Sequence, residues 1–319
     1  MAEYTKNSNI AYLWKNIQLM QRLLFIISYP FIFLISKLPF KVLYVLSDVF
    51  YLIIYKLIGY RRNVVKNNIQ IAFPEKSKDE RIEIEKRFYK HFCDLIFETI
   101  KTYSISKKEL VNRFKITNPD VITKLENKGK SVIYMCAHYN NYEWILALRF
   151  FGMKNTSYGV YKSLKNKSFD KLLKRSRSKF QTYLIDKNYI AKKMAENKLK
   201  NKSANYGMIA DQSPKRKHAK YWVEFMGQKT PVFTGSELLA RRLDIAVVYM
   251  KIEKISRGYY KAELQPIALQ PKKTQEGDVT KSYFQKLENQ ILEKPEYYLW
   301  SHKRWKHKDL FKPELHYFF

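Results

Sequence analysis

The chain has 319 residues, room for one large domain or two small ones. With 60 Lys and Arg against 29 Asp and Glu it carries a net charge of +31, which excludes an electrically neutral surface and points to an anionic partner: nucleic acid, an anionic membrane, a phosphorylated substrate or an acidic protein. Its nine glycines form neither GxGxxG nor a P-loop, which argues against a nucleotide-phosphate cradle.

Residues 1–22 are polar and mixed, with no signal-peptide cleavage pattern. Leu23 to Ser36 and Val42 to Tyr55 are apolar runs, each shorter than the roughly 20 residues that cross a bilayer squarely. Pro30, Lys37 and Lys41 argue against one continuous span. One tilted span with snorkelling lysines, helices lying in the interface, and two buried core helices all fit. The flanking Arg22, Lys37, Lys41, Lys56, Arg61, Arg62 and Lys66 favour an anionic cytoplasmic leaflet. Tyr60 to Pro74 reads as a basic helix ended by proline. Asp79 to Thr102 reads as a long amphipathic helix, with Ile82, Ile84, Phe88, Phe92, Ile96 and Ile100 on one broad apolar face.

From Asn118 onward strands and helices alternate. Strands are expected at Ser131–Cys136, Thr156–Tyr161, Ser203–Ala210 and Ile245–Ile252, the last with a hairpin partner at Tyr259–Pro266. Helices are expected after Asn141, at Phe169–Phe180, Ile190–Leu199, Gly235–Arg242 and Val279–Glu293, and a flexible loop at Gln270–Asp278. This is the pattern of an α/β fold: a central, mostly parallel mixed sheet flanked by helices. Two regions are expected, residues 1–58 for membrane anchoring and 59–319 for chemistry.

The chemistry gathers at strand ends. His138 follows the Ser131–Cys136 strand, Lys162 the next, and Asp211-Gln212 the strand Ser203–Ala210. In open α/β sheets ligands bind outside the carboxyl ends of the strands. Glu143 falls in the first helical turn after Asn140 and Asn141. A turn could bring it back to His138, where a carboxylate on one imidazole nitrogen raises the basicity of the other. Arg175 and Arg177 are candidates for phosphate binding, and Arg304, beside His302 and Trp305, for a place in the site. Each has an ordinary alternative: a packed His, a solvated basic face, an Asp-Ser-Pro turn, an interfacial aromatic belt. Cys93 and Cys136 form no CxxC and no zinc spacing, and read as reduced, buried thiols on a cytosol-facing protein.

Six blocks, in order, resemble the lipid A biosynthesis (lauroyl and myristoyl) acyltransferases, within the wider glycerolipid acyltransferase superfamily. They are GYRRNVVKNNIQIAFPEKS at 59–77, AHYNNYE at 137–143 with its H-x4-[DE] spacing, GVYKSLKN at 159–166 with RSRS at 175–178, ADQ at 210–212, FMGQKTPVFTG at 225–235 and PEYYLWSHKRWK at 295–306. Two positions depart from the family: Lys162 stands where Arg is frequent, and Ala210 where Pro is usual. The resemblance implies transfer of a fatty acyl chain from a thioester, usually acyl carrier protein, to a hydroxyl of a phosphorylated lipid. His138 would be the general base and Glu143 its partner. Lys162, Arg175, Arg177, Asp211, Gln212 and Arg304 would bind substrate. No metal or cofactor is implied beyond the acyl carrier protein or coenzyme A donor. The partners would be an anionic lipid acceptor, the acidic carrier protein and the membrane, without nucleic acid. The place would be the bacterial inner membrane, with the catalytic part facing the cytoplasm. The same fold acting on a lysophospholipid, an aminoacyl lipid or a glycolipid, a non-catalytic basic membrane-surface or nucleic-acid binding protein, and thioester hydrolysis by Cys136 and His138 are the competing readings.

Overall fold

The computed structural model describes residues 2–319, with side chains from Leu19 onward, so most of the polar stretch 1–22 is described as backbone alone. Helix α1 (Ala2–Lys37) continues through Pro30, and the helical path breaks between Lys37 and Phe40, so the two apolar runs are separate helices and not one continuous span. A proline inside a helix removes the bond to the carbonyl four residues earlier, at a cost of about 3 kcal/mol; the rest of this 36-residue helix carries on around it. Its 19-residue segment Leu19–Lys37 has mean hydropathy 1.7 and is 6% buried. Such a helix is about as long as the hydrocarbon core is thick.

Helix α2 (Phe40–Tyr51) continues as a π-helical segment, Leu52–Ile58, and the chain then bends by 92° into α3 (Arg62–Ala72). Helix α2 buries Phe40, Leu43 and Ser47 and leaves Val42, Val45 and Val49 exposed. Helix α4 (Lys78–Lys101) opens with a capping box: the Ser77 hydroxyl accepts from the Glu80 N–H and the Glu80 carboxylate from the Ser77 N–H. The single apolar face expected for it is incomplete. Ile82, Phe92, Ile96 and Ile100 are half-buried, while Glu85, His91, Asp94, Glu98 and Lys101 are buried, because partners cover α4 on several sides.

The remaining elements are α5 (Lys107–Arg113), β1 (Phe114–Ile116), α6 (Asp120–Asn127), β2 (Val132–Cys136), β3 (Thr156–Tyr161), α7 (Lys167–Ser178), β4 (Thr182–Asp186), α8 (Ile190–Leu199), β5 (Ala204–Ile209), β6 (Tyr221–Phe225), β7 (Gln228–Pro231), α9 (Gly235–Leu243), β8 (Ala246–Ser256), β9 (Tyr259–Ala268), α10 (Asp278–Glu293) and β10 (Tyr317–Phe318). A seven-stranded sheet runs in the order β1-β9-β8-β2-β5-β3-β4. Its neighbours are parallel except β8 and β9, so it is the mixed, mostly parallel sheet expected. A smaller sheet, β10-β6-β7, lies beside it. The stretch 270–278, expected to be a flexible loop, is fastened instead. It contains a short 3-10 turn, and the Glu237 carboxylate accepts from the Gly277 and Thr280 N–H groups at 2.6 and 3.0 Å.

The sheet separates two cores. Ile133, Met135 and Ala137 of β2 and its continuation face the side of α3, α4 and α10, while Val132, Tyr134 and Cys136 face Trp144, Leu146 and Phe180. The functional residues gather on the second face.

Candidate active site

The register between β2 and β5 places the two central residues. The strands are parallel neighbours with Cys136 opposite Ile209, so two residues beyond each strand His138 comes opposite Asp211. His138 Nδ1 lies 2.8 Å from Asp211 Oδ1, and the Gln212 side-chain amide lies 3.3 Å from Nε2. The carboxylate on the imidazole is therefore Asp211. Glu143, expected in that place, bonds the Arg177 guanidinium instead. The physical reason is the backbone. Asn140 takes a left-handed φ of 51°, and Asn141 caps a 3-10 turn, Tyr142–Phe150, rather than the α-helix expected. That path sends Glu143 across to α7 and lays the Tyr142 ring edge-on to His138, with 4.9 Å between centroids.

The electrostatics follow from this pairing. Burial alone would lower the His138 pKa, but the Asp211 carboxylate, by charge and hydrogen bond, carries it above the ordinary value, with Glu143 adding to the effect. Burial would raise Asp211, but His138 and Arg304 bring it below the ordinary carboxylate value. With Nδ1 directed at a carboxylate, Nε2 is the basic nitrogen.

The other expected residues separate. Arg177 is half-buried on the inner side of α7, and its Nη1 has no partner among the described residues. Arg175 is exposed on the outer side of α7 and does not reach the cavity. Lys162 is exposed at the rim. Arg304 is 1% exposed, with Nη1 donating to Ser213 Oγ at 3.1 Å and to the Pro231 carbonyl at 3.0 Å. It lies enclosed behind Asp211, and its charge helps hold that carboxylate below the ordinary value. The segment that carries it is a strap over the His138 turn. The Leu299 N–H donates to the His138 carbonyl at 3.1 Å and the Asn140 N–H to the Tyr297 carbonyl at 3.0 Å. The basic block around α3 anchors this strap through Asn68, whose amide donates to the Trp300 and His302 carbonyls at 2.7 and 2.6 Å.

His138 opens onto a cavity of about 580 Å³ between the sheet face, the 3-10 turn and α7. Aligned rows of residues pave its floor. Tyr134, Gly207, Gly159 and Leu184 lie side by side across β2, β5, β3 and β4; one pleat below come Asn205, Ser157 and Thr182. From Asp211 to Asn205 the strand path spans about 20 Å, at roughly 3.3 Å per residue. Tyr134, Ile145, Leu146, Leu148, Leu173 and Ile209 make the walls largely apolar. Sequence reasoning missed this floor, although a glycine inside each of two strands was a signal that something approaches closely there. Among the described residues no group of three or more His, Cys, Asp and Glu is placed to hold a metal ion.

A carboxylate-held imidazole at the carboxyl ends of two parallel strands, opening on a largely apolar cavity, is the candidate site of an α/β fold. The chain belongs to the bacterial lipid A biosynthesis acyltransferase family, whose sequence profile matches residues 14–307. It is 22% identical over 278 residues to the lipid A biosynthesis lauroyltransferase of Escherichia coli K12, covering 86% of this chain and 89% of that protein. It is 20% identical over 257 residues to the lipid A biosynthesis palmitoleoyltransferase of the same organism and to a lipid A biosynthesis acyltransferase of Shigella flexneri, covering 80% of this chain and 82% of each.

Proposed function

We propose that this acyltransferase moves a fatty acyl chain from an acyl thioester to a hydroxyl of a lipid A precursor, with His138 as general base. The observation that carries this reading is His138 on the wall of a largely apolar cavity of about 580 Å³, with Asp211 on Nδ1 and the Gln212 side-chain amide 3.3 Å from Nε2. Nε2 removes the hydroxyl proton as the oxygen bonds to the thioester carbonyl carbon. The tetrahedral oxyanion takes hydrogen bonds from Arg177 Nη1 and the Gln212 amide, and Glu143 keeps the Arg177 guanidinium in place. The carbon–sulfur bond then breaks, and the proton on Nε2 passes to the leaving thiolate. The protein's own residues carry every step, and the thioester, of acyl carrier protein or coenzyme A, is a substrate.

The surroundings support a membrane-held acceptor. The exposed apolar segment of α1 packs on the start of α7, the helix whose Leu173 and Arg177 line the cavity: the Asn166 amide donates to the Gln21 carbonyl at 2.9 Å, and the Phe25 and Phe169 rings meet edge-on at 5.1 Å. Lys162 at the rim of the cavity suits a lipid phosphate. The outer face of α7, with Lys171, Lys174 and Arg175, suits an acidic carrier protein. We assign the protein to the bacterial inner membrane, with the cavity on the cytoplasmic side.

Lipid mass spectrometry of the source bacterium, with the gene deleted and then complemented, tests the reading. Loss of one acyl chain from lipid A, restored by wild type and not by His138→Ala, is the expected result. Loss from another lipid class would keep the mechanism and discard the acceptor. Full rescue by His138→Ala would remove the general base.

A further inference from the structure

Outside the lining of the cavity, Glu98 of α4 is 1% exposed and accepts three hydrogen bonds. Tyr44 of α2 donates to Oε1 at 2.9 Å; Tyr260 of β9 and the Asn141 amide donate to Oε2 at 2.8 and 2.6 Å. Asn141 uses its other atom, Oδ1, to accept from the Trp144 N–H at 3.1 Å and so caps the turn that carries Tyr142 and Glu143. One flank of that turn touches His138 and the other holds Arg177. Space for the Tyr44 hydroxyl is reserved by Gly258, where a Cβ would lie 1.9 Å from the Tyr44 oxygen. Tyr44 itself belongs to the helix whose opposite face exposes Val42, Val45 and Val49.

We propose that Glu98 is a positioning residue for acyl transfer: it fixes the orientation of Asn141, and through it the Tyr142–Glu143 turn, and it ties that turn to helix α2 through Tyr44. The Asn141 amide has two faces with different work. Its NH2 needs an acceptor at Glu98 so that its carbonyl oxygen stays on the Trp144 N–H. If the amide turns over, the cap is lost and the turn beside His138 loosens. Small displacements of groups that hold reacting atoms cost large factors in rate. The inference rests on the acyl-transfer reading above.

The test uses the full chain in phospholipid vesicles at pH 8, with a lauroyl thioester of acyl carrier protein as donor and a lipid A precursor as acceptor. Asn141→Asp sets two carboxylates against each other and is expected to lower kcat at least tenfold while both KM values stay within about twofold. Glu98→Gln keeps an acceptor on Asn141 and is expected to retain kcat within about threefold. The double variant Asn141→Asp/Glu98→Gln restores a donor facing an acceptor and is expected to return to within about threefold of wild type. A double variant as slow as Asn141→Asp alone, or a loss expressed only in KM, would overturn the inference. If Asn141→Asp does not fold, Tyr44→Phe decides, since it removes one hydroxyl. A kcat lowered about threefold at constant KM supports the tie to α2, and an unchanged kcat overturns it. A wild-type protein that transfers no acyl chain to the acceptor would instead refute the acyl-transfer reading.

Discussion

Asp211 and Glu98 are both fully buried carboxylates, each joined to the His138 region by a short hydrogen bond, and they stand in opposite electrostatic states. Burial pushes both upward. Around Asp211 the imidazole and the Arg304 guanidinium outweigh it, and the carboxyl sits below its ordinary pKa. Around Glu98 the direct partners are neutral: two phenols and an amide. Lys254 offsets burial only in part and Asp94 works against it, so the carboxyl is raised to about 7. The stability signs are opposite too. Asp211 contributes stability above its unfolded pKa of about 3.9, and this is lost as the pH falls through its lowered folded value. Glu98 behaves in reverse: its contribution is complete below about 4.3 and is lost as the pH rises through 7. Cations beside the carboxylate, rather than depth of burial, decide which one serves the base as a permanent charge.

The largest effect expected from breaking this contrast is that of Asp211→Asn. An amide there cannot stabilise the imidazolium, so kcat should fall by about 10² to 10⁴. Wild-type activity should rise with pH through the raised pKa of His138, as the base loses its proton. Without Asp211, burial is opposed only by Glu143, which Arg177 neutralises, and Arg304 remains close by. The acid limb should therefore move to lower pH in the variant. A pH profile of kcat measured on both proteins checks the direction; an acid limb that stays in place would mean that another group sets it.

The cavity floor gives the next effect, in selectivity rather than rate. A Cβ on Gly207 would meet nothing closer than the Tyr158 carbonyl at 3.7 Å, so the strand accepts a side chain there, and the chain projects into the cavity. Gly207→Val should favour shorter acyl donors by about tenfold or more, since one misplaced methylene is worth about 1–3 kcal/mol. Competition between donors of different length, read by mass spectrometry, checks this. An unchanged preference would mean that the acyl chain does not lie over Gly207.

These two sites also show what could be read from the chain alone. His138 and Asp211 were legible as strand-end residues because an apolar run stops at each. Their partnership was not, because it depends on β2 and β5 being sheet neighbours although 67 residues and more separate them in the chain, a non-local fact that no local pattern encodes. Glu143 looked like the partner because five residues is close in sequence, and the left-handed turn at Asn140 undid that. Strands β1 and β4 escaped notice because they are short and carry charged or polar residues among the apolar ones. Glu98 escaped because it lies on a helix whose apolar spacing reads as an ordinary surface helix; only the packing of α2, β9 and the Asn141 turn around it makes it special.

The smallest expected effect belongs to Cys136, and it separates direct transfer from a covalent route. The thiol lies on the cavity wall two residues before His138, where a nucleophile would be well placed by sequence. Burial, with Asp211 adding to it, pushes the thiol pKa well above its ordinary value, and the sulfur lies 3.6 Å from the Met208 carbonyl oxygen, the acceptor it faces. A thiol that keeps its proton is a poor nucleophile. Cys136→Ala should leave kcat within about twofold and cost about 1 kcal/mol of stability as a small core truncation. Intact-protein mass spectrometry after mixing wild type with the donor alone should show no added acyl mass. An acyl adduct on wild type that disappears in Cys136→Ala, together with lost transfer, would replace direct attack by the acceptor hydroxyl with a two-step route in which His138 serves the sulfur first.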